Sequence, residues 1–281
     1  MKPKKLIIGN WKMFPANAKD AKAKFVAIKK VASTLRNVQT VICPPLVYIS
    51  DLKKLVTGHR CVVGAQNSWY ENEGAFTGEV SPTMLTSVGA QYVIVGHSER
   101  RAMGETDEIV NKKVLAAIKV GLNVIICVGE RERDPDGEYM RHIANQLKSA
   151  HQGIQKKDLG QIVVAYEPIW AIGKHAVRAA SADDALEITI LLKKTFADLC
   201  GKDGACVPIL YGGSVDAKNA WEFLLQRTKL ILVLMILCRL LTDRSKTLKE
   251  KSQISMTLVV RLKSWSTCSA VRLQLSSMPS R

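Results

Sequence analysis

The sequence predicts an α/β fold in which parallel strands alternate with helices and close into a (β/α)8 barrel. Three observations predict it. Short, continuous runs rich in Val and Ile recur through the first 213 residues, helical patterns occupy gaps between them, and no glycine-rich dinucleotide fingerprint follows the first run. Continuous apolar runs are typical of strands that are buried on both faces of a parallel sheet. Seven strand–helix units with an expected eighth favour a closed barrel over an open dinucleotide-binding sheet.

Seven runs are predicted as strands, and the intervals between them leave room for one helix in most gaps. In chain order they are LIIG (6–9), VICP (41–44), CVVG (61–64), YVIVG (92–96), NVIICVG (123–129), IVVAY (162–166) and PILYGG (208–213).

Three of the gaps carry a helical pattern. The first contains apolar residues three or four positions apart, as on one face of a helix: Ala21, Phe25, Ile28, Ala32 and Leu35. The same spacing recurs from Val110 to Gly121, with Thr106 as the expected N-cap. Ser181 and Asp184 resemble a capping box ahead of the third pattern.

Length and composition restrict the class of protein. The chain has 281 residues, 47% of them hydrophobic, which is enough for one large domain. The longest uninterrupted apolar run, 230–238, is far shorter than the roughly 20 residues of a membrane helix, so we expect no membrane span. After the basic N-terminal residues, an apolar run of only three residues, 6–8, precedes Gly9, so we expect no secretory signal. Seven cysteines without a C-x-x-C pair predict reduced thiols, a cytoplasmic location and no metal site.

The formal net charge of +16 is unevenly distributed. Residues 227–281 contain 11 basic and 2 acidic residues, a net charge of +9, whereas the first 226 residues contain 30 basic and 23 acidic residues, a net charge of +7. No interleaving of basic and aromatic residues is present, as stacking platforms for single-stranded nucleic acids require. We therefore expect neither nucleic acid nor a membrane as a partner. Binding through the basic tail alone is an alternative that salt-sensitive binding would support.

Polar residues cluster directly after the predicted strands: Asn10 and Lys12 after the first, His97 and Glu99 after 92–96, Glu167 after 162–166, and Ser214 after 208–213. Singly, each has an ordinary interpretation. His97 could be a hydrogen-bonded structural residue, Glu167 a loop carboxylate in solvent, and Lys12 a surface cation. In a (β/α)8 barrel, however, catalytic groups come from the carboxyl ends of different strands, so together these residues predict a catalytic rim.

Seven strings resemble, in the same order, the motifs of the triosephosphate isomerase family: GNWKM (9–13), GAQN (64–67), GAFTGE (74–79), VGHSERR (95–101), CVGE (127–130), YEPIWAIG (166–173) and ILYGGSV (209–215). The resemblance covers about residues 5–226, and YEPIWAIG and VGHSER are its most specific parts. It implies a TIM barrel. It also implies an enzyme that interconverts dihydroxyacetone phosphate and D-glyceraldehyde 3-phosphate, in glycolysis and gluconeogenesis, without a metal or an organic cofactor.

The resemblance also implies roles for individual residues. Glu167 would be the base that moves the carbon-bound proton. His97 would be a neutral electrophile, as is well known from this family. Lys12 would supply a positive charge to the substrate's oxygens, and Asn10 would orient the substrate. Glu99 would support Lys12 by pairing with it.

Two loops follow from the same resemblance. PIWAIG (168–173) would be a lid over the phosphate, with backbone N–H groups of Gly173 and Ser214 binding the phosphate and Tyr211 hydrogen-bonding the closed lid. The next residues, 174–176, are Lys-His-Ala where the family most often has Thr-Gly-Lys, so the hinge departs from the pattern. GAFTGE (74–79) would insert into the partner of a homodimer, with Thr77 reaching across. The alternative is a mobile surface loop.

The resemblance ends near Arg227. The family continues with an eighth strand and a Gly-Gly turn that completes the phosphate site, but no glycine follows Gly213 here. We therefore predict an isomerase barrel domain over 1–226, with the eighth βα unit missing or aberrant, and an aberrant basic tail over 227–281. We hypothesise a reading-frame shift near codons 227–229. The alternative is a divergent lineage in which 230–238 serves as strand eight.

Two functions of different classes remain open from the sequence. The first is a triose-phosphate isomerase whose activity is lowered by the altered C-terminal end. The second is a non-catalytic barrel remnant that at most binds phosphate ligands. Glu167, His97 and Lys12 are all present, which favours the enzyme.

Overall fold

The computed structural model describes residues 5–172 and 176–215, together with the backbone of 231–232. Its strands are β1 Lys5–Asn10, β2 Val38–Cys43, β3 Cys61–Ala65, β4 Tyr92–Val95, β5 Asn123–Val128, β6 Ile162–Tyr166, β7 Ile209–Tyr211 and β8 Ile231–Leu232. The seven predicted runs correspond to β1–β7. Predictions for Gly173 and for the Lys-His part of the hinge lie outside the described residues.

Helices lie between the strands: α1 Ala18–Ala32, α2 Ile49–Lys53, α3 Pro82–Ser87, α4 Ser98–Ala102, α5 Asp107–Lys119, α6 Glu138–His151 and α7 Ala182–Cys200. Short 3₁₀ helices occupy Leu46–Tyr48, Lys156–Gln161, Ile169–Ala171 and Gly201–Cys206. The first helical pattern is confirmed, since its members on α1 are all buried. Thr106 caps α5 through its side chain, and the capping box of Ser181 and Asp184 is present at the start of α7.

All the strands pair in parallel, in the order in which they occur along the chain. The last pairing joins Leu210 to Ile231 and Tyr211 to Leu232, and β8 also lies close to β1. The sheet therefore curls back towards its first strand, which confirms the predicted parallel α/β architecture. Among the described residues, the eighth unit is represented by two strand residues only. The structure therefore does not decide between a reading-frame shift and a divergent lineage in which 230–238 serves as strand eight.

The core has two layers because successive side chains of a strand point to opposite faces of the sheet. On β6, Val163 and Ala165 pack inside the barrel with residues such as Leu6 and Ile94. Val164 and Tyr166 point outward and belong to the cluster between sheet and helices. Because both faces of the sheet are buried, the strand sequences are continuous apolar runs and do not alternate between apolar and polar residues.

Side chains fill the barrel interior, which leaves the carboxyl rim of the strands as the place for a site.

Within the described ranges, no helix is long and apolar enough to span a membrane.

Candidate active site

A small cavity at the carboxyl ends of the strands brings together residues from four strands and from the segments that follow β4, β6 and β7. Its walls are Ile8, Asn10, Ile94, His97, Ile125, Cys127, Ala165, Glu167 and Gly212. Three of the predicted site residues, Asn10, His97 and Glu167, are thus neighbours although they are far apart in the sequence. They are 9%, 6% and 5% exposed, respectively.

His97 lies at the N-cap of α4, directly after β4. Its Nδ1 accepts a hydrogen bond from the backbone N–H of Glu99 at 3.2 Å. A ring nitrogen that accepts carries no proton, so a neutral ring has its proton on Nε2. Nε2 lies 3.1 Å from Oε1 of Glu167, so the ring N–H points at the carboxylate.

Glu167 follows β6, and its backbone N–H donates to the carbonyl of Val128 at 2.8 Å. Its Oε2 accepts from the backbone N–H of Ser98 at 2.9 Å. The first turn of α4 therefore contacts both carboxylate oxygens, one through Ser98 and the other through the ring of His97. A buried carboxylate with two such donors is held in one place and is ready to exchange a proton with a group that enters the cavity.

Gly129 lets the loops after β5 and β6 approach each other. A Cβ at this position would lie 1.8 Å from the carbonyl oxygen of Glu167, closer than any two such atoms can come. The backbone N–H of Gly129 donates to Oε1 of Gln146 on α6 at 2.8 Å. A residue without a side chain is therefore required for Glu167 to keep its position.

Cys127 lies inside the barrel against Glu167. Burial raises the pKa of its thiol well above the ordinary value, and the neighbouring Glu167 carboxylate raises it further. The thiol therefore stays protonated at neutral pH and packs against the site. Cys127 is therefore a structural residue of the site, since nucleophilic cysteines need a lowered pKa.

Lys12 adopts a left-handed backbone conformation, with φ of 51°, that non-glycine residues rarely adopt. Its N–H donates to Oδ1 of Asn10 at 2.8 Å, and its carbonyl accepts from Nε2 of Gln66 at 2.8 Å. These two bonds hold a conformation that costs about 1–3 kcal/mol. The side chain reaches Glu99, with Nζ 2.5 Å from Oε1. The expected pair of Lys12 and Glu99 is therefore present in the structure.

The described part of the predicted lid, 168–172, is fastened to the barrel through Glu130. Its Oε1 accepts from Nε1 of Trp170 at 2.7 Å and from the hydroxyl of Tyr166 at 2.8 Å. The guanidinium groups of Arg133 and Arg178 lie 5.3 and 4.5 Å from the centre of the Trp170 ring. Trp170 is thus held by a hydrogen bond at its nitrogen and by two cations on its ring.

Three further predicted residues lie near this rim or on the surface. Ser214 is half-buried, three residues after the end of β7, and Gly212, two residues before it, lines the cavity. Tyr211 is buried next to Tyr166 with its hydroxyl against Gly213, and burial raises the pKa of its phenol. Thr77 is exposed in the loop between β3 and α3.

Comparison with known proteins identifies the family of this chain. The family model of triosephosphate isomerase matches residues 5–229. The chain belongs to the triosephosphate isomerase family. A triosephosphate isomerase of Thermoanaerobacter pseudethanolicus is 42% identical over 222 residues, which are 78% of this chain and 88% of that protein. One of Natranaerobius thermophilus is 42% identical over 221 residues, covering 78% and 85% of the two chains. One of Idiomarina loihiensis is 40% identical over 224 residues, covering 79% and 88%.

Several residues that support this isomerase-family site were not singled out from the sequence, namely Gln66, Arg101, Glu130, Arg133 and Arg178. Gln66, Arg101 and Glu130 lie inside strings that carried the resemblance, which was the available signal. Arg133 and Arg178 lie outside those strings. Arg133 meets Asp184 and Tyr166 only across the fold, and Arg178 meets Trp170 and Asp184 at separations that follow no helix or strand period, so spacing and periodicity could not reveal these contacts.

Proposed function

We propose that the protein interconverts dihydroxyacetone phosphate and D-glyceraldehyde 3-phosphate by proton transfer through an enediol(ate). The observation that carries the proposal is the pair of Glu167 and His97, a carboxylate and an imidazole 3.1 Å apart in one cavity of a triosephosphate isomerase barrel. Moving a proton between adjacent carbons requires a carboxylate base beside an electrophile that polarises the carbonyl.

Glu167 is the base in this proposal. It removes the proton from one carbon of the substrate and returns it to the neighbouring carbon. His97 donates from Nε2 to the substrate's oxygens, where negative charge develops. In the structure these groups contact each other, so the substrate takes the place of their mutual contact. The carbonyl oxygen of the substrate then accepts a hydrogen bond from Nε2 of His97, whose proton is already directed into the cavity.

Lys12 and Asn10 bind and orient the substrate's oxygens. The Nζ of Lys12 is held by Glu99, which leaves the positive charge at the rim and limits its range of positions. Asn10 lines the cavity and also fixes the backbone of Lys12. Glu99 supports Lys12 and takes no part in the proton transfer.

The phosphate binds at the side of the cavity next to β7. Backbone N–H groups of Ser214 and Gly173 donate to it, as loop N–H groups commonly do for anions. The lid that starts at Pro168 closes over the phosphate, and Tyr211 hydrogen-bonds the closed lid. Closure keeps water from the enediolate, which would otherwise lose its phosphate.

The substitution Glu167→Gln tests the proposal in a coupled isomerase assay. We expect kcat to fall by about 10²–10⁴-fold because general base catalysis is removed while the shape of the side chain is kept. Glu138→Gln is the control, since Glu138 lies on the surface of α6 and pairs with Arg141. A wild-type chain that binds phosphate ligands without turnover would instead support the non-catalytic remnant.

We propose further that the enzyme works as a homodimer in the cytoplasm. Large apolar side chains near the rim are open to solvent, with Met13 91% and Phe14 59% exposed, and Phe76 stands beside Thr77 in the 74–79 loop. Exposed apolar side chains of this size support a surface that another chain covers. The described cysteines are free thiols, which supports a reducing compartment.

A further inference from the structure

Arg101 folds back from α4 onto the end of β4. Its Nε donates to the carbonyl of Gly96 at 2.8 Å, and its Nη1 lies 2.5 Å from Oδ1 of Asp107 in the first turn of α5. The side chain of Arg101 is 15% exposed and that of Asp107 is 32% exposed. One guanidinium group thus connects the turn after β4 to the start of α5.

The carbonyl that Arg101 binds belongs to the peptide group that leads into His97. Gly96 has a φ of 71°, so the chain turns sharply at this point. A Cβ at Gly96 would lie 3.1 Å from Nη2 of Arg101 and 3.1 Å from a methyl group of Val110. The turn is therefore packed between the guanidinium and α5, and it can move only if one of them moves.

Two of the groups that contact the carboxylate of Glu167 emerge from this turn. They are Nε2 of His97, at 3.1 Å, and the backbone N–H of Ser98, at 2.9 Å. The rotation of the peptide between Gly96 and His97 sets the direction of both. Among the described contacts, the guanidinium of Arg101 binds that peptide's oxygen and reaches neither the His97 ring, the Ser98 N–H nor the carboxylate.

We propose that Arg101, held by Asp107, is a positioning residue for the isomerase reaction. It fixes the peptide plane between Gly96 and His97 and thereby aims the His97 ring and the Ser98 N–H at the cavity. The proposal rests on the proposed function of the same site. The planar guanidinium is suited to this role because it can hold a carbonyl and a carboxylate at once, in fixed directions.

The substitutions Asp107→Ala and Glu108→Ala form a matched pair. Both remove a carboxylate from the first turn of α5, but among the described contacts only Asp107 reaches Arg101. We expect Asp107→Ala to lower kcat by about 10–100-fold, since small displacements of positioned groups have effects of that size. KM should change by less than about threefold, because His97 acts where charge develops in the transition state. Glu108→Ala should leave both constants within about twofold, because it leaves the guanidinium's two contacts in place.

The substitution Arg101→Lys separates geometry from charge. Lysine keeps the positive charge but cannot bind Gly96 and Asp107 with the same fixed fork. We expect it to lower kcat as much as Asp107→Ala does. A fully active Arg101→Lys variant would overturn the proposal, and so would equal kcat values for the Asp107→Ala and Glu108→Ala proteins.

Amide hydrogen exchange tests the positioning without turnover. In Asp107→Ala, the amides of Ser98 and Glu99 should exchange at least about tenfold faster, while those of Val93 and Ile94 in β4 stay unchanged, because only the turn is loosened. Uniform acceleration, or no change, would contradict the proposal. If the wild-type chain has no isomerase activity, the proposed function fails, but this exchange comparison still decides whether Arg101 holds the turn.

Discussion

Single residues at the rim decide how the catalytic groups are presented. Lys12 sits in a backbone conformation that is unfavourable for a residue with a side chain, and hydrogen bonds from its own N–H to Asn10 and from Gln66 to its carbonyl hold it there. At Gly129, by contrast, a side chain must be absent, because the backbone of Glu167 occupies the space that a side chain would fill. In both cases the stereochemistry of one residue determines the position of a charged group.

The substitution Gly129→Ala is expected to displace Glu167. We expect a loss of about 1–3 kcal/mol in the free energy of unfolding, because the added methyl group overpacks a full site. A fall in kcat should accompany it. Gly160→Ala is the matched control, since a Cβ there meets nothing within 4 Å. Urea unfolding and the coupled assay measure both effects, and an unchanged kcat in Gly129→Ala would contradict the expectation.

At the scale of elements, the start of α7 is joined to the base of the lid. Asp184 completes the capping box with Ser181, and its carboxylate also accepts from the two terminal nitrogens of the Arg178 guanidinium, at 2.6 and 2.9 Å. Arg178 in turn lies on the ring of Trp170, and Nη1 of Arg133 also binds Oδ1 of Asp184, at 3.0 Å. One carboxylate therefore serves a helix cap and orders the cations that hold the lid tryptophan.

Asp184 predicts a specific dependence of stability on pH. Arg178, helped by Ser181 and Arg133, holds the pKa of Asp184 below its ordinary value. An acid whose pKa is lowered in the folded state stabilises the protein above its unfolded pKa, and this stabilisation is lost as the pH falls towards the folded pKa. Below about pH 4, the ordinary range of an aspartate, wild-type stability should therefore fall more steeply than that of Asp184→Asn.

Urea midpoints measured from neutral pH down to about pH 3 would show this difference, because that range brackets the ordinary aspartate pKa. Asp183→Asn removes a carboxylate from the same helical turn and serves as the control. It measures how much of the change follows from removing any carboxylate from this turn. A curve for Asp184→Asn that runs parallel to that of the wild type would show that the arginine contacts do not couple stability to pH.

For the whole molecule, the parallel sheet and its helices place the candidate site at the carboxyl rim, as expected for this architecture. The match to the triosephosphate isomerase family ends at residue 229, close to the break that the sequence predicts near Arg227. We propose that the isomerase domain spans 1–226 and that 227–281 is an aberrant basic tail that arose from a reading-frame shift.

The coding DNA and a repaired chain test this proposal. An alternative frame should encode a Gly-Gly pair shortly after position 230, and its absence from both other frames would refute the frame shift. Restoring that C-terminal end should lower KM by about tenfold or more, because each charge-assisted hydrogen bond to the phosphate contributes about 1.5–3 kcal/mol. Equal activity of the repaired and unrepaired chains would show that the tail does not impair the phosphate site.

The proposed dimer makes a second prediction for the whole molecule. Thr77→Arg places a charge and a large side chain at the proposed interface, so it should shift the protein towards monomers and lower its activity. Thr57→Arg introduces the same residue at another exposed threonine, after α2, and should change neither. Sedimentation equilibrium measures the state of association. A wild-type protein that is monomeric at assay concentration would contradict the dimer.

Much of the fold was predictable because its signals are local. Strands buried on both faces must be apolar throughout, so the runs from 6–9 to 208–213 could be read directly as strands. The start of α7 could be predicted from Ser181 and Asp184, since a capping box spans only four residues. Asn10, Lys12, His97 and Glu167 could be placed at one rim because parallel strands bring their carboxyl ends to the same side.

The sequence by itself therefore determined the parallel α/β architecture and the family, and it nominated a base, an electrophile and a cation. Only the tertiary structure decided how these groups are held: the ring proton of His97 directed at Glu167, the backbone of Lys12 supported by Gln66, and the turn before His97 held by Arg101. Hydrophobic periodicity is a property of neighbouring residues, whereas these contacts depend on directions and on distances of a few ångströms between segments that meet only when the sheet curls.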